Sequence, residues 1–292
     1  MTTRPARSRL LAVSALLTVA GSTTLHAQEA KPDVVAPAPT APAADLPQAR
    51  EIMLKGVDAI GGKDAMLKIK SIEMKGSIEM PAQGMKGTMI TRAAAPNKML
   101  TTMSLGAIGD FKTGFDGTTG WASDKIQGTR ILEGKELAMI VRESDFLKDA
   151  DPLKRWDTYA TTAEAKFSGF DCWRIEASKG EEKAVLWYEK STHLPRGLEM
   201  TVETQIGKLP VSTAFLEYKE FNGLKFPVRT EAKQAGQRLV TVYESIVLDA
   251  VDPASFELPA DVKALLEPEP AEDAETEDGE TKPAATPPAS KP

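Results

Sequence analysis

Histidine and cysteine are nearly absent: two of one and one of the other in 292 residues. That scarcity removes Cys/His zinc sites, haem attachment and iron-sulfur ligation, because the ligands are not there. No metal and no cofactor are therefore expected. A disulfide-stapled scaffold is excluded for the same reason. The glycines form neither a P-loop nor a dinucleotide-binding pattern. Aromatic residues make up only 6% of the chain. What remains is 41% hydrophobic and 27% charged, enough to build one large domain or two small ones around a core.

A basic field is also missing. Arg4, Arg7 and Arg9 stand at the start without an acid, so the rest of the chain is more acidic than the net −6 implies. Residues 267–292 hold eight acids against Lys282 and Lys291, and 28–45 hold three against Lys31. The stretch 46–266 is left close to neutral. Nothing in it attracts a polyanion, so nucleic acid is not an expected partner.

Composition divides the chain into four. Residues 1–27 read as a secretory signal peptide: arginines, an apolar run from Leu10 to Ala20, then Ala27 at the expected cut. The run is too short to span a bilayer. Residues 28–45 form a linker rich in proline and alanine that buries nothing. Residues 46–266 form the folded body, and 267–292 an acidic tail expected to be disordered. A periplasmic or secreted location follows from the leader.

Within the body, Leu46, Ala49, Met53, Val57 and Ile60 fall at helical spacing, and Gly61-Gly62 stops them. A second short helix is expected over 64–69 and a third over 135–146. Elsewhere the pattern alternates, as a strand wetted on one face does. Strands are expected at 72–80, 85–92, 98–105, 110–115, 120–125, 171–178, 183–189, 198–205, 211–221 and 238–248. Turn residues such as Asp116-Gly117, Lys179-Gly180, Asn222-Gly223 and Ala235-Gly236 separate them. Ten or eleven antiparallel strands in simple succession make a meander, and so large a twisted sheet must curl. The predicted class is α+β: a strongly curved antiparallel sheet, an open half-barrel, covered by a few α-helices.

Six of the ten methionines after Met1 lie between 74 and 103. Met74 and Met80, Met85 and Met89, and Met99 and Met103 are evenly spaced, so each pair shares a face of its strand. Met80 and Met85 share one as well if the loop at 81–84 pairs them. Unbranched thioethers repack around apolar guests of different shape. The other reading is ordinary core beneath the helices.

The sequence Phe115-Asp116-Gly117 followed by Gly120-Trp121 is one of several short motifs along the body. Others are Leu186-Trp187-Tyr188 followed by His193-Leu194-Pro195-Arg196, and Asn222-Gly223-Leu224-Lys225-Phe226-Pro227. Val251-Asp252-Pro253 with Phe256 and Pro259 closes the series. With the leader and the Gly-Gly stop, this layout resembles the LolA-like outer-membrane lipoprotein-sorting proteins over about residues 46–262. The resemblance implies a half-barrel whose concave face holds acyl chains of lipoproteins or other lipids for transfer between membranes. It also implies a membrane-protein donor or acceptor as a possible partner. On that basis the apolar cavity is expected to involve Ile72, Met74, Ile78, Met80, Met85, Met89, Met99, Met103 and Trp121. Leu137, Ile140 and Val141 are expected to form a lid.

Two rivals differ in class. An enzyme lacks parts: His193, the one histidine past the leader, has no serine or cysteine nucleophile placed beside it by a recognisable motif. Glu181-Glu182 and Glu143 with Asp145 read as solvated charge. No catalytic residue is expected. The second rival is an envelope sensor or interaction module of the same fold that binds lipoprotein or a membrane partner without carrying cargo. Cys172 reads as a small half-buried strand residue pointing away from the face that Trp173, Ile175 and Ala177 share.

Overall fold

The computed structural model describes residues 46–267, apart from 148, 149, 205 and 206 and the side chains of 203–207. The expected leader, the linker and all of the acidic tail after Glu267 lie outside the described residues. Helix α1 (Ala49–Ala59) buries Ile52, Met53 and Val57, the face that the sequence periodicity marks. Gly61 and Gly62, both at positive φ, turn the chain out of it. Helix α2 (Lys63–Met66) is shorter than expected.

The first strands are β1 (Ser71–Met80), β2 (Met85–Ala94), β3 (Lys98–Ser104), β4 (Asp110–Phe115), β5 (Gly120–Asp124) and β6 (Gly128–Ile131). Helix α3 (Gly134–Glu143) follows. Then come β7 (Thr158–Phe167), β8 (Phe170–Lys179), β9 (Glu182–Glu189), β10 (Pro195–Thr204), β11 (Gly207–Phe221), β12 (Leu224–Gln234) and β13 (Gln237–Leu248), and a last short helix, α4 (Ala260–Ala264). β6, β7 and β12 are additions to the expected set. β6 is only four residues long, and β7 carries mostly small and polar side chains, which suits an unpaired edge but hides the alternation of a core strand.

All thirteen strands form one antiparallel sheet in the order β6-β5-β4-β3-β2-β1-β13-β12-β11-β10-β9-β8-β7. Neighbours in sequence pair, as in a meander, with one exception that decides the shape. β1 pairs with β13, placing Ile72 opposite Leu248 and Met74 opposite Ile246. A simple succession would leave the first and last strands as the edges. Here the edges are β6 and β7, which are consecutive in the chain and joined by residues 132–157.

The sheet is curled, and α3 shows by how much. From β4 to β10 is seven strand spacings, about 34 Å if the sheet were flat. Yet α3, ten residues and about 15 Å long, touches β4 and β5 on one arm and β10 on the other. The connection between the two edge strands therefore lies across the hollow of the half-barrel, and α1 lies beside it, against β7 and β9.

Both faces carry apolar clusters. On the hollow side, Ile72, Met74, Ile78, Met80, Met89 and Met103 pack with Phe146, Val228 and Tyr243. A second cluster joins Ile52 and Met53 of α1 to Trp156, Ile175, Leu186 and Tyr188. On the outer side Phe167, Cys172, Trp187 and Ala214 form a small core of their own. The Phe167 ring stacks on Trp187 at 4.9 Å. It also sits over Gly197, where an added Cβ would stand 2.2 Å from it.

Candidate functional site

The register of the first three strands sets the hollow face. Met80 pairs with Met85, Ala93 with Met99, and Met89 with Met103. The three methionine pairs therefore share one face, the condition the sequence left open for the third. Strand alternation then carries the same face through Phe111 and Phe115 of β4.

Between this face and the helices lies a cavity of about 100 Å³. Ile72 and Met74 of β1 form part of its wall. Ile60, Met66 and Ile69 come from the helical cover, and Phe146, Leu147, Arg155 and Trp156 from the 132–157 connection. Leu186, Tyr188, Leu198 and Phe215 come from the far arm, and Tyr243 from β13 beside β1. α1 approaches closely enough that a Cβ on Gly56 would lie 2.5 Å from the Tyr188 ring. Glycine in mid-helix costs helix stability, and here the close seating requires it. Burial pushes the Tyr243 phenol well above its usual pKa, only partly offset by the nearby Thr91 hydroxyl.

The expected lining residues divide into three groups. Ile72 and Met74 reach the cavity. Ile78, Met80, Met85, Met89 and Met103 belong to the cluster beside it, where they pack on one another and on Phe146. Met99 lies with Phe115, Ala122 and Leu132 beneath α3. Trp121 stands on the outer face: it pairs with Gly114, one residue out of phase with Phe115. Its indole lies where a Cβ on Gly114 would be, 2.5 Å away. The four-residue turn at 116–119 produces this by pairing Phe115 with Gly120, so the tryptophan alternates outward.

Of the expected lid residues, Leu137 and Ile140 pack into the cluster under α3, while Val141 is 41% exposed. α3 is tied to the far arm by Arg142, whose Nη1 donates to Glu182 Oε2 of β9 at 3.1 Å. The sequence reading missed Arg155 and the far-arm residues Leu186, Leu198 and Phe215. Alternation in β9 marks Ala184, Leu186 and Tyr188 as one face, which is a usable signal. Arg155 lies on an irregular connection and carries none.

Elsewhere the polar groups are structural. Arg196 donates to Glu189 at 2.7 Å and stacks on Phe170 at 3.8 Å. Burial pushes the Glu189 carboxyl up, but hydrogen bonds from Thr192, Arg196 and Ser191 outweigh it and hold it below the usual range. Cys172 points away from the helices as expected but is fully buried, and burial pushes its thiol up to about 11. Among the described residues no group of three metal-binding side chains converges.

No protein-family model matches the sequence, and no curated protein matches it. Solved structures do. The structural neighbours include LolA-superfamily proteins. One, from Nitrosomonas europaea, is 14% identical and covers 73% of this chain and 99% of its own, with a TM-score of 0.48. A putative outer membrane lipoprotein-sorting protein domain from Vibrio parahaemolyticus is 14% identical over 73% of this chain and 99% of its own, at 0.47. A DUF1329 family protein from Desulfovibrio piger is 15% identical over 71% and 96%, at 0.48.

Proposed function

We propose that the chain is a non-catalytic periplasmic binding protein that shelters acyl chains of lipoproteins or other lipids on its hollow face and carries them between membranes. The observation that carries this reading is the apolar cavity closed by α1, α2 and the 132–157 connection, which are not strands of the sheet and are tied to it by few backbone hydrogen bonds, such as Lys225 N to Ile60 O and Asp157 N to Ser178 O. At about 100 Å³ the cavity is smaller than the roughly 150 Å³ known to admit benzene. A long acyl chain therefore enters only as these cover elements and the pliant side chains near them, Met66 and Met74 among them, move outward. The gain is desolvation, about 0.8 kcal/mol per methylene and on the order of 12 kcal/mol for a 16-carbon chain. A membrane gives the same shelter, so net transfer free energy stays small and release remains feasible. Processing near Ala27 and export precede this role.

Displacement of a neutral apolar fluorescent probe by a series of saturated chains tests the reading. The expected result is saturable probe binding, with displacement strengthening by up to about four-fold per added methylene. No displacement, or displacement indifferent to chain length, contradicts it.

A further inference from the structure

One end of the cavity is polar, and its polar groups do not pair off. Arg155 is only 7% exposed and Trp156 only 4%, and the guanidinium carbon of Arg155 lies 4.7 Å from the Trp156 ring centroid. Both residues face the cavity. The carboxylate nearest to Arg155 is Glu182, at 3.7 Å, beyond hydrogen-bond reach. Glu182 instead accepts from Arg142 at 3.1 Å. Two guanidinium charges therefore share one carboxylate, and the Arg155 guanidinium makes no hydrogen bond among the described residues.

Three atoms of this cluster are buried without a hydrogen-bond partner: Arg142 Nε, Trp156 Nε1 and Glu182 Oε1. Folded proteins keep few such groups. Glu182 Oε1 is an acceptor and lies 3.7 Å from Arg155; Arg142 Nε and Trp156 Nε1 are donors, of which Trp156 lines the cavity, and Arg155 adds a charged fork of donors beside it. A group that satisfies donors next to an excess positive charge is an acceptor carrying negative charge. Apart from Lys225, Thr230 and the tyrosine hydroxyls, the rest of the wall is hydrocarbon and aromatic ring, so the same molecule must also have an apolar part.

We propose that this end of the cavity binds the oxyanion head of an amphiphile, a carboxylate or a phosphate, with Arg155 as its charge partner and Trp156 Nε1 as a second donor. The acyl tail then lies along Leu186, Leu198 and Phe215. Guanidinium hydrogen bonds to an ionised oxygen are roughly twice as strong as neutral ones, and arginine matches both carboxylate and phosphate geometry. Glu182 competes with the ligand for Arg155 and moderates its affinity. The assignment rests on the sheltering of acyl chains proposed above and adds the chemistry of the head.

The test uses the exported full chain and a neutral apolar probe, displaced by three ligands with one 16-carbon chain: palmitate, palmitoyl-glycerol phosphate and uncharged monopalmitoylglycerol. The readout is the ratio of displacement constants, anionic to neutral, so any general weakening of a variant cancels. At least one anionic ligand is expected to displace at a concentration about ten-fold below the neutral one, and the two anionic arms tell a carboxylate head from a phosphate head. Arg155→Met is expected to bring the ratio to about one. Glu182→Gln, which removes the competing charge, is expected to enlarge the advantage, whereas a merely structural ion pair predicts no gain. Equal displacement by anionic and neutral chains in the unaltered protein overturns the head-group site while leaving chain binding intact. So does an advantage that survives Arg155→Met, or one that shrinks in Glu182→Gln. Failure of all three ligands to displace the probe overturns the carrier reading and this site with it.

Discussion

Met74 and Met89 share a face and a residue type, yet they are not equivalent. Met74 borders the cavity, while Met89, 1% exposed, is enclosed by the cluster beside it. A carboxylate placed at 74 meets a hollow that water can enter, at a cost in guest binding. One placed at 89 has no room to hydrate, and an unpaired buried charge unfolds proteins. Met74→Asp is therefore expected to weaken binding of the neutral probe about ten-fold or more, whereas Met89→Asp fails to fold. Glu73→Lys, on the opposite side of β1, loses only partly exposed pairs with Arg92 and Lys75 and leaves probe binding unchanged within a factor of two. Fluorescence titration with a melting curve for each variant separates these outcomes. The methionine face was legible in the sequence because even spacings survive any choice of register. Trp121 was not, because its face depends on how four turn residues pair the strands on either side. On the outer face, Cys172 is expected to resist alkylation in the folded protein and to react only after denaturation, since its thiol is both enclosed and held protonated. Rapid labelling at neutral pH without denaturant, followed by mass spectrometry, contradicts this.

At the scale of elements, α3 is the part best placed to move. It touches the sheet through Leu137 and Ile140, and it reaches the other arm through Arg142. It makes no ladder hydrogen bonds. Leu137 is only half-buried, so Leu137→Ala is expected to remove about 1.4 kcal/mol of packing. If α3 must lift for entry, probe association then speeds up by as much as ten-fold while far-ultraviolet dichroism stays the same. An unchanged association rate places the entrance elsewhere. The turn that holds β9 to β10 behaves differently. Arg196 and Glu189 are both largely buried, and removing one partner with Arg196→Met is expected to cost about 3 kcal/mol at neutral pH. Glu189 has its pKa lowered in the fold, so its contribution is present above the ordinary value of 4.5 and is lost as pH falls through the folded value below that. The melting difference between parent and variant should thus shrink below about pH 4.5. A difference that stays constant to pH 3 contradicts the assignment. The helix periodicities at 46–60 and 135–146 were readable because each helix has one apolar face. β7 was not, because an edge strand of Thr, Ala, Glu and Lys does not alternate like a buried one.

For the whole molecule, the decisive contact is the pairing of β1 with β13. Sequence patterns reveal that both are strands but not that residues about 170 apart lie side by side, since alternation carries no partner label. That pairing moves the open edges of the sheet to the middle of the chain and lays the 132–157 connection over the hollow. It is also why Arg155, undistinguished in the sequence, comes to line the cavity beside Trp156 and residues of β1 and β9. The arrangement separates a hydrogen-bonded shell from a cover held mainly by side-chain packing. Native mass spectrometry of the full chain, extracted without detergent, tests the consequence most directly. Adducts with the masses of acylated amphiphiles are expected, lost on organic extraction and regained when such amphiphiles are supplied, with amide exchange in α3 changing between the two forms. A chain that stays bare after amphiphiles are supplied, with α3 exchange unaltered, would contradict the proposed role of the cavity.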